Sequence, residues 1–265
     1  TNLNGSTTTV AQLLAPYPEF PDGTDDPSGG VLMQNATLGS SYFESMDARL
    51  VQRLSGGLSL ITSYTLSKLI ERDTYLNPSN LQLEKRTSPF DHSDDLVVAT
   101  SYQLPLGRGL HWGLSGWANT LLGGWTVNGI YTYETGMPVY WTSDMLYSGA
   151  PLDSNPGQAT SPAFNVSAFD TNPDDQFGAY HIRTFPSTLS SVREEGINNL
   201  DFSVLKNFAV SESSYFQFRA ESFNLFNRVL FGAPDVDPTA GSAFGMITSQ
   251  ANLPRQIQLG LRFVF

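Results

Sequence analysis

Cysteine is absent from the 265 residues, which excludes a disulfide framework and any thiolate metal site. Charge is scarce. Only 15% of residues are Asp, Glu, Lys or Arg, against about a quarter in a soluble domain. The balance is acidic, 25 against 14 for a net charge of −11. That is the wrong sign for a nucleic-acid surface, whose phosphates need a basic one. Histidine occurs three times, at His92, His111 and His181, far apart in sequence. A histidine metal site or a catalytic triad therefore lacks its usual ligands and bases. Neither G-x-S-x-G, H-E-x-x-H nor a phosphate-binding glycine motif occurs. No catalytic residues, no resident metal and no cofactor are expected, and an enzyme is the last reading to consider. No apolar run reaches the about 18 residues of a transmembrane helix.

What the sequence does have is alternation. Over 255–265 the odd positions Ile257, Leu259, Leu261, Phe263 and Phe265 are apolar. The even positions Gln256, Gln258, Gly260 and Arg262 are polar or small. Period two over this length is a strand with one oily and one wet face. About ten residues is also the length of a strand tilted across a bilayer. The same pattern predicts strands over 41–54, 58–68, 96–104, 125–142, 197–208 and 214–226. A bend or bulge is expected at Pro138 and a bulge near Ser222, where the phase blurs.

The connections alternate as well. Those at 55–57, 105–124 and 210–213 form the short side, and those at 69–93, 143–196 and 228–254 are long. Short turns at one end and long loops at the other mark an outer-membrane barrel, with periplasmic turns and extracellular loops. The fold class expected is all-β: an antiparallel up-and-down meander of about seven long strands, the C-terminal segment of a large transmembrane β-barrel. Residues 1–40, rich in Pro, Gly, Asp and Ser, read as an extracellular loop segment, and 41–265 as a partial barrel. Seven is not the even number of a finished single-chain barrel. The start of the sequence carries neither initiator Met nor signal peptide, so the chain reads as cut or processed from something longer. A soluble β-sandwich, carbohydrate-binding in one version, is the alternative without a membrane.

Several segments together resemble the C-terminal part of TonB-dependent outer-membrane receptors, in particular the Oar-like subgroup with an N-terminal carboxypeptidase-regulatory-like domain. They are Ser63-Tyr64-Thr65-Leu66-Ser67-Lys68, Phe90-Asp91, Leu104-Pro105-Leu106-Gly107-Arg108-Gly109, Leu122-Gly123-Gly124-Trp125 and Phe164-Asn165 with Ala168-Phe169. Asp201-Phe202-Ser203 with Lys206-Asn207-Phe208, Glu221-Ser222-Phe223-Asn224-Leu225-Phe226-Asn227, Phe244-Gly245-Met246-Ile247 and Pro254-Arg255-Gln256-Ile257-Gln258 complete the series. The signal lies in their order and spacing over 41–265. The resemblance implies a barrel of about 22 strands, energised import of a scarce ligand, and a plug domain and TonB-contacting segment upstream. The stretch Asp91-His92-Ser93-Asp94-Asp95 departs from it, since the subgroup tends to be basic there.

Three groups of residues are the candidate sites. Gln258, Gly260, Phe263 and Phe265 follow the ending that barrel-assembly machinery reads. Asp47, Arg49, Arg53, Asp201, Arg219, Glu221 and Arg262 are the inward charges. They are either a hydrated wall with neighbouring ion pairs or the surface that meets a plug, and they need partners in both cases. Tyr140 and Trp141, at the mouth of the longest loop and open equally to a girdle reading, and the acidic Asp170, Asp174 and Asp175 are candidates for contact with a small ligand: a siderophore, glycan or peptide. The 170–175 stretch begins like a calcium loop, but Asp175 stands where an EF-hand needs glycine. It reads as a solvated acidic loop, with a loose surface calcium site as the sharper alternative. Trp125, Phe216 and Phe263 fit an aromatic girdle at the membrane interface. Outer-membrane lipid is the expected surrounding, in the bacterial cell outer membrane. A passive or structural barrel without energy coupling is the alternative within the same fold.

Overall fold

The computed structural model describes residues 6–8, 13, 37–54, 56–77, 80, 82–107, 111–176 and 182–265. The expected loop segment 1–40 lies almost wholly outside them. Among the described residues ten strands follow one another: β1 Ser40–Arg53, β2 Leu58–Arg72, β3 Arg86–Thr87, β4 Asp94–Gln103, β5 Trp125–Glu134, β6 Pro138–Tyr140, β7 Thr188–Arg193, β8 Ile197–Ala209, β9 Tyr215–Phe223 and β10 Gln256–Val264. A short α-helix, α1, covers Gly116–Leu122. The main sheet runs β1-β2-β4-β5-β8-β9-β10, every neighbour antiparallel, with β3 added beside the end of β2. This is the expected all-β meander of seven long strands.

Register turns the alternation of each strand into two continuous faces. Arg53, Ser59, Ser101, Asn128, Ser203, Glu221 and Gln258 stand opposite one another in an unbroken row across all seven strands. The neighbouring row, Leu58, Tyr102, Val127, Val204, Ala220 and Leu259, lies on the other face. A slip of one residue in any pair would mix the rows, so the pattern itself fixes the register. Neither face of the sheet is sealed by the described residues: β1 is exposed throughout, and Ile257, Leu259 and Leu261 are each about 70% exposed.

The short connections are tight. Leu54 donates its amide to the Leu58 carbonyl at 2.8 Å, and Gly57 returns to Leu54 at 3.2 Å. Gly57 has φ +83°, a left-handed conformation that favours glycine. Between β8 and β9, Val210 and Ser211 donate to the Ser214 carbonyl. The third short connection, 104–124, contains α1, which the sequence pattern does not show. The helix has only seven residues and no side-chain cap at Ser115.

The expected strand over 125–142 is two strands. β5 stops at Glu134, and β6 leaves the main sheet to pair with β7. The stem crosses itself at this point: a Cβ on Gly136 would collide with the Glu194 carbonyl, and one on Gly196 with that of Glu134. No bulge occurs at Ser222. The β9 register with β8 and β10 continues through it, to Phe223 in the pairing with β10. Its polar side chain on the apolar face, not a change of phase, blurs the pattern. β2 also runs four residues beyond its expected end at 68.

The core lies outside the sheet. Val139, Trp141, Met145, Phe164, Phe169, Phe185, Val192, Phe244 and Ile247 are buried together. They come from the long connections 135–196 and 224–255, which pack into one cap at the long-loop end. Trp141 is at its centre, fully buried, with ring centroids of Phe164, Phe185 and Phe169 at 4.9, 5.3 and 5.6 Å. The aromatic residues that a structureless loop would expose are here the means of burying it.

Candidate functional site

Three loops are bound into the cap by buried polar clamps. Asp91 is 1% exposed; its carboxylate accepts from Arg193 at 2.6 Å, faces Lys68 at 3.6 Å, and accepts from the Leu69 amide at 2.5 Å. Arg193 also donates to the carbonyls of Asp91 and Gly136. Arg86, 7% exposed, reaches Glu71 and Asp73, each at 2.9 Å, and donates to Ser187 Oγ at 3.0 Å. Burial acts to lower the Arg86 pKa, but the hydrogen bonds it donates to Glu71 and the charge of Asp73 outweigh it and raise the net value. Ser187 in turn donates its amide and hydroxyl to Glu84. Asn77 exchanges two hydrogen bonds with the Arg183 backbone, at 2.6 and 2.8 Å. Connection 73–93 is thereby stitched to connection 135–196, and the unusual acid run at Asp91 is a structural anchor.

The third loop joins through Glu195. Its carboxylate accepts from the Phe231 amide at 2.6 Å and faces Arg228 at 3.6 Å. Asn224 and Asn227 turn the chain out of β9 with φ of 52° and 53°, values that Asn tolerates better than most residues. The Asn224 side chain bridges both ways with the Arg228 backbone, and Asn227 Oδ1 takes the Arg255 amide. The Glu221–Asn227 motif is therefore a corner, built to return the chain towards β10.

Beneath this corner lies a cavity of 480 Å³ where the polar face meets the cap. Asn199, Asp201 and Gln256 supply its polar wall, and Phe223, Leu230 and Leu253 its apolar one. Asp201 Oδ1 accepts from Asn199 Nδ2 and the Asn224 amide, both at 2.9 Å. The carboxylate is held in place with acceptor capacity left over. An apolar pocket with a few fixed polar groups is what a small-molecule site requires.

The inward charges of the sequence reading all fall on the polar face by register. Arg219 and Glu221 pair at 2.6 Å, and Asp47 accepts from Thr65 at 2.7 Å. Arg49, Arg53 and Arg262 have no ion-pair partner among the described residues. Tyr140 is 42% exposed, with the Arg86 guanidinium 5.4 Å from its ring centroid. Trp141 is a correction: full burial makes it the hub of the cap and removes it from any ligand-contacting surface. Asp170, Asp174 and Asp175 are exposed but organised locally. Asp170 accepts from the Asn172 amide at 2.9 Å and Asp175 from its side chain at 2.6 Å. Among the described residues no group of three His or acidic side chains is placed to hold a metal ion. Of the expected girdle, Phe216 and Phe263 touch at 4.7 Å between centroids, and Trp125 meets Phe218 edge-on at 6.3 Å, all on the apolar face.

Residues 1–258 match the model of the family described as outer membrane beta barrel domain. The chain belongs to that family. Its place is the bacterial outer membrane, and the apolar face of the sheet is the one that meets lipid. No curated protein and no solved structure matches the chain. In the barrel domain the polar face is the inner one. The 480 Å³ cavity then opens on the barrel interior directly under the long-loop cap. Sequence reasoning missed both the cavity and the clamps. The signals available were the motif asparagines 224 and 227, and the acid run that begins at the buried Asp91 and looked out of place.

Proposed function

We propose that the chain is the C-terminal barrel part of a TonB-dependent outer-membrane transporter, which captures a scarce small ligand at its long-loop end and imports it. The observation that carries this reading is the inner face. Arg49, Arg53 and Arg262 present charge there without partners among the described residues, which suits docking of a plug domain inside the barrel. The packed cap and the cavity beneath it support ligand capture, since a site on a rigid support holds its geometry better than one on free loops. Siderophores, glycans and peptides all fit the mixed polar and apolar wall. Plug, energy coupler and barrel-assembly machinery are the protein partners this reading requires.

The test is reconstitution of the native outer-membrane protein, its length fixed by intact mass, in planar bilayers. A plugged transporter gives no steady conductance and binds the C-terminal domain of a TonB-type coupler. A steady open-channel conductance without coupler binding makes it a passive barrel and ends the transporter reading.

A further inference from the structure

At the short-turn end, a lysine is buried on the lipid-facing side of the sheet. Lys206 is 2% exposed and stands in register between Trp125 of β5 and Phe218 of β9. Its ammonium lies 5.2 Å from the Trp125 ring centroid and 5.0 Å from that of Phe208, and donates to the Gly123 carbonyl. No carboxylate pairs with it among the described residues. An ammonium has three donors, and this one is given a single neutral acceptor. A buried cation left in that state is costly unless an anion completes it.

The other wall comes from connection 104–124. Trp125 Nε1 donates to the Leu121 carbonyl at 3.0 Å, which holds the end of α1 against the lipid-facing side of β5. Between α1 and the end of β8 runs a groove of 330 Å³ lined by Asn119, Thr120, Gly123, Lys206, Asn207 and Phe208. Next to it α1 exposes Trp117, Leu121 and Leu122, with Trp117 at 78%. Tryptophan and leucine beside a cation, at the rim of a lipid-facing surface, suit the boundary between headgroups and acyl chains.

We propose that this groove binds the phosphate of a phospholipid in the periplasmic leaflet, with Lys206 as its charged donor and α1 as its apolar flank. Charge complementarity selects the phosphate, because a compact ammonium is a strong point-charge partner for one. Continuity with the lipid-facing rows selects a lipid over a soluble anion. Basic pockets at the membrane rim recognise headgroups in this way. The bound lipid would fix connection 104–124 against the barrel wall.

The test is native mass spectrometry of the detergent-solubilised native protein, titrated separately with phosphatidylglycerol, dioleoylglycerol and inorganic phosphate. The wild type is expected to keep one phosphatidylglycerol and no dioleoylglycerol. Lys206→Met should bind it about tenfold more weakly, as for loss of one charge-assisted hydrogen bond, and Lys206→Arg should restore binding. Folding of each variant is checked by heat-modifiable gel mobility. Should Lys206→Met fail to fold, phosphatidylglycerol with a photoreactive headgroup is cross-linked to the wild type, with label expected in 117–123 and 206–208. Equal lipid retention by Lys206→Met, equal binding of dioleoylglycerol, retention of inorganic phosphate in place of lipid, or label only elsewhere overturns the proposal.

Discussion

Arg193 and Asp91 stand 102 positions apart in sequence and meet at 2.6 Å, with the Asp91 side chain wholly out of solvent. Through this pair the second and fourth connections of the barrel become parts of one body. Loops joined in this way open together or not at all, so their stability is a property of the cap and not of each loop.

Removing one partner of such a pair leaves the other charge buried and alone, at a cost of about 3–5 kcal/mol. Asp91→Ala is therefore expected to lower the free energy of cap opening by about 3 kcal/mol. The chain has no cysteine, so Ser190→Cys, an exposed position on β7, gives a single fluorophore site. Its urea midpoint should fall in the Asp91→Ala background, while heat-modifiable mobility of the barrel stays unchanged. An unaltered midpoint would remove the clamp from the account.

Adjacent aromatics should separate cleanly. Trp141→Ala empties the centre of the cap and is expected to cost about 3–5 kcal/mol by the same reporter. Tyr140→Ala gives up an exposed ring beside Arg86 and should cost below about 1 kcal/mol. If the cap captures ligand, Tyr140→Ala weakens uptake at unchanged stability. Trp141→Ala weakens it only in proportion to cap opening, read as hydrogen exchange across 183–193.

The cap should also loosen as pH rises from acid to neutral. Burial pushes the Glu194 carboxyl above its ordinary value of 4.5, with His92 opposing. A folded pKa raised above the unfolded one means that the folded cap binds more protons between the two values. The resulting stability is full below the unfolded pKa and is lost as pH rises through the folded one. Glu194→Gln should flatten this slope in the urea midpoint at the Ser190→Cys reporter. A wild-type midpoint that does not fall across this window would show that Glu194 carries no such penalty.

The seven strands were legible because each satisfies its alternation locally, and register then joins Arg53 to Gln258 in one polar row. The placement of Asp201, Arg219 and Glu221 on the polar face followed from the same parity. The cap was not legible. Its contacts span about a hundred residues, as between Asn77 and Arg183, and its segments have no period to read. Trp141 continues the apolar phase of β5 in the sequence, although the chain has by then crossed at Gly136 into a different sheet. The seven residues of α1 were too few for a 3.6 period to show.

The last strand separates stability from assembly. A Cβ on Gly260 would meet only Arg219 Cβ, at 3.9 Å, an ordinary contact. Packing therefore does not demand glycine there, and Gly260→Ala should refold in lipid vesicles within about 0.5 kcal/mol of wild type. Phe263 stacks between Phe216 at 4.7 Å and Phe265 at 5.8 Å, so Phe263→Ala should cost about 1 kcal/mol beyond its lost area. Phe265 is 95% exposed at the sheet edge, with its ring contact to Phe263 as its packing among the described residues. If Gln258, Gly260, Phe263 and Phe265 are read by assembly machinery, removing Phe265 will lower the amount in the outer membrane severalfold while leaving refolding of the purified protein intact. The comparison of cellular level with refolding yield decides the matter. Loss of both in parallel would make the terminal aromatics a packing feature, and loss of the cellular level alone makes them a signal.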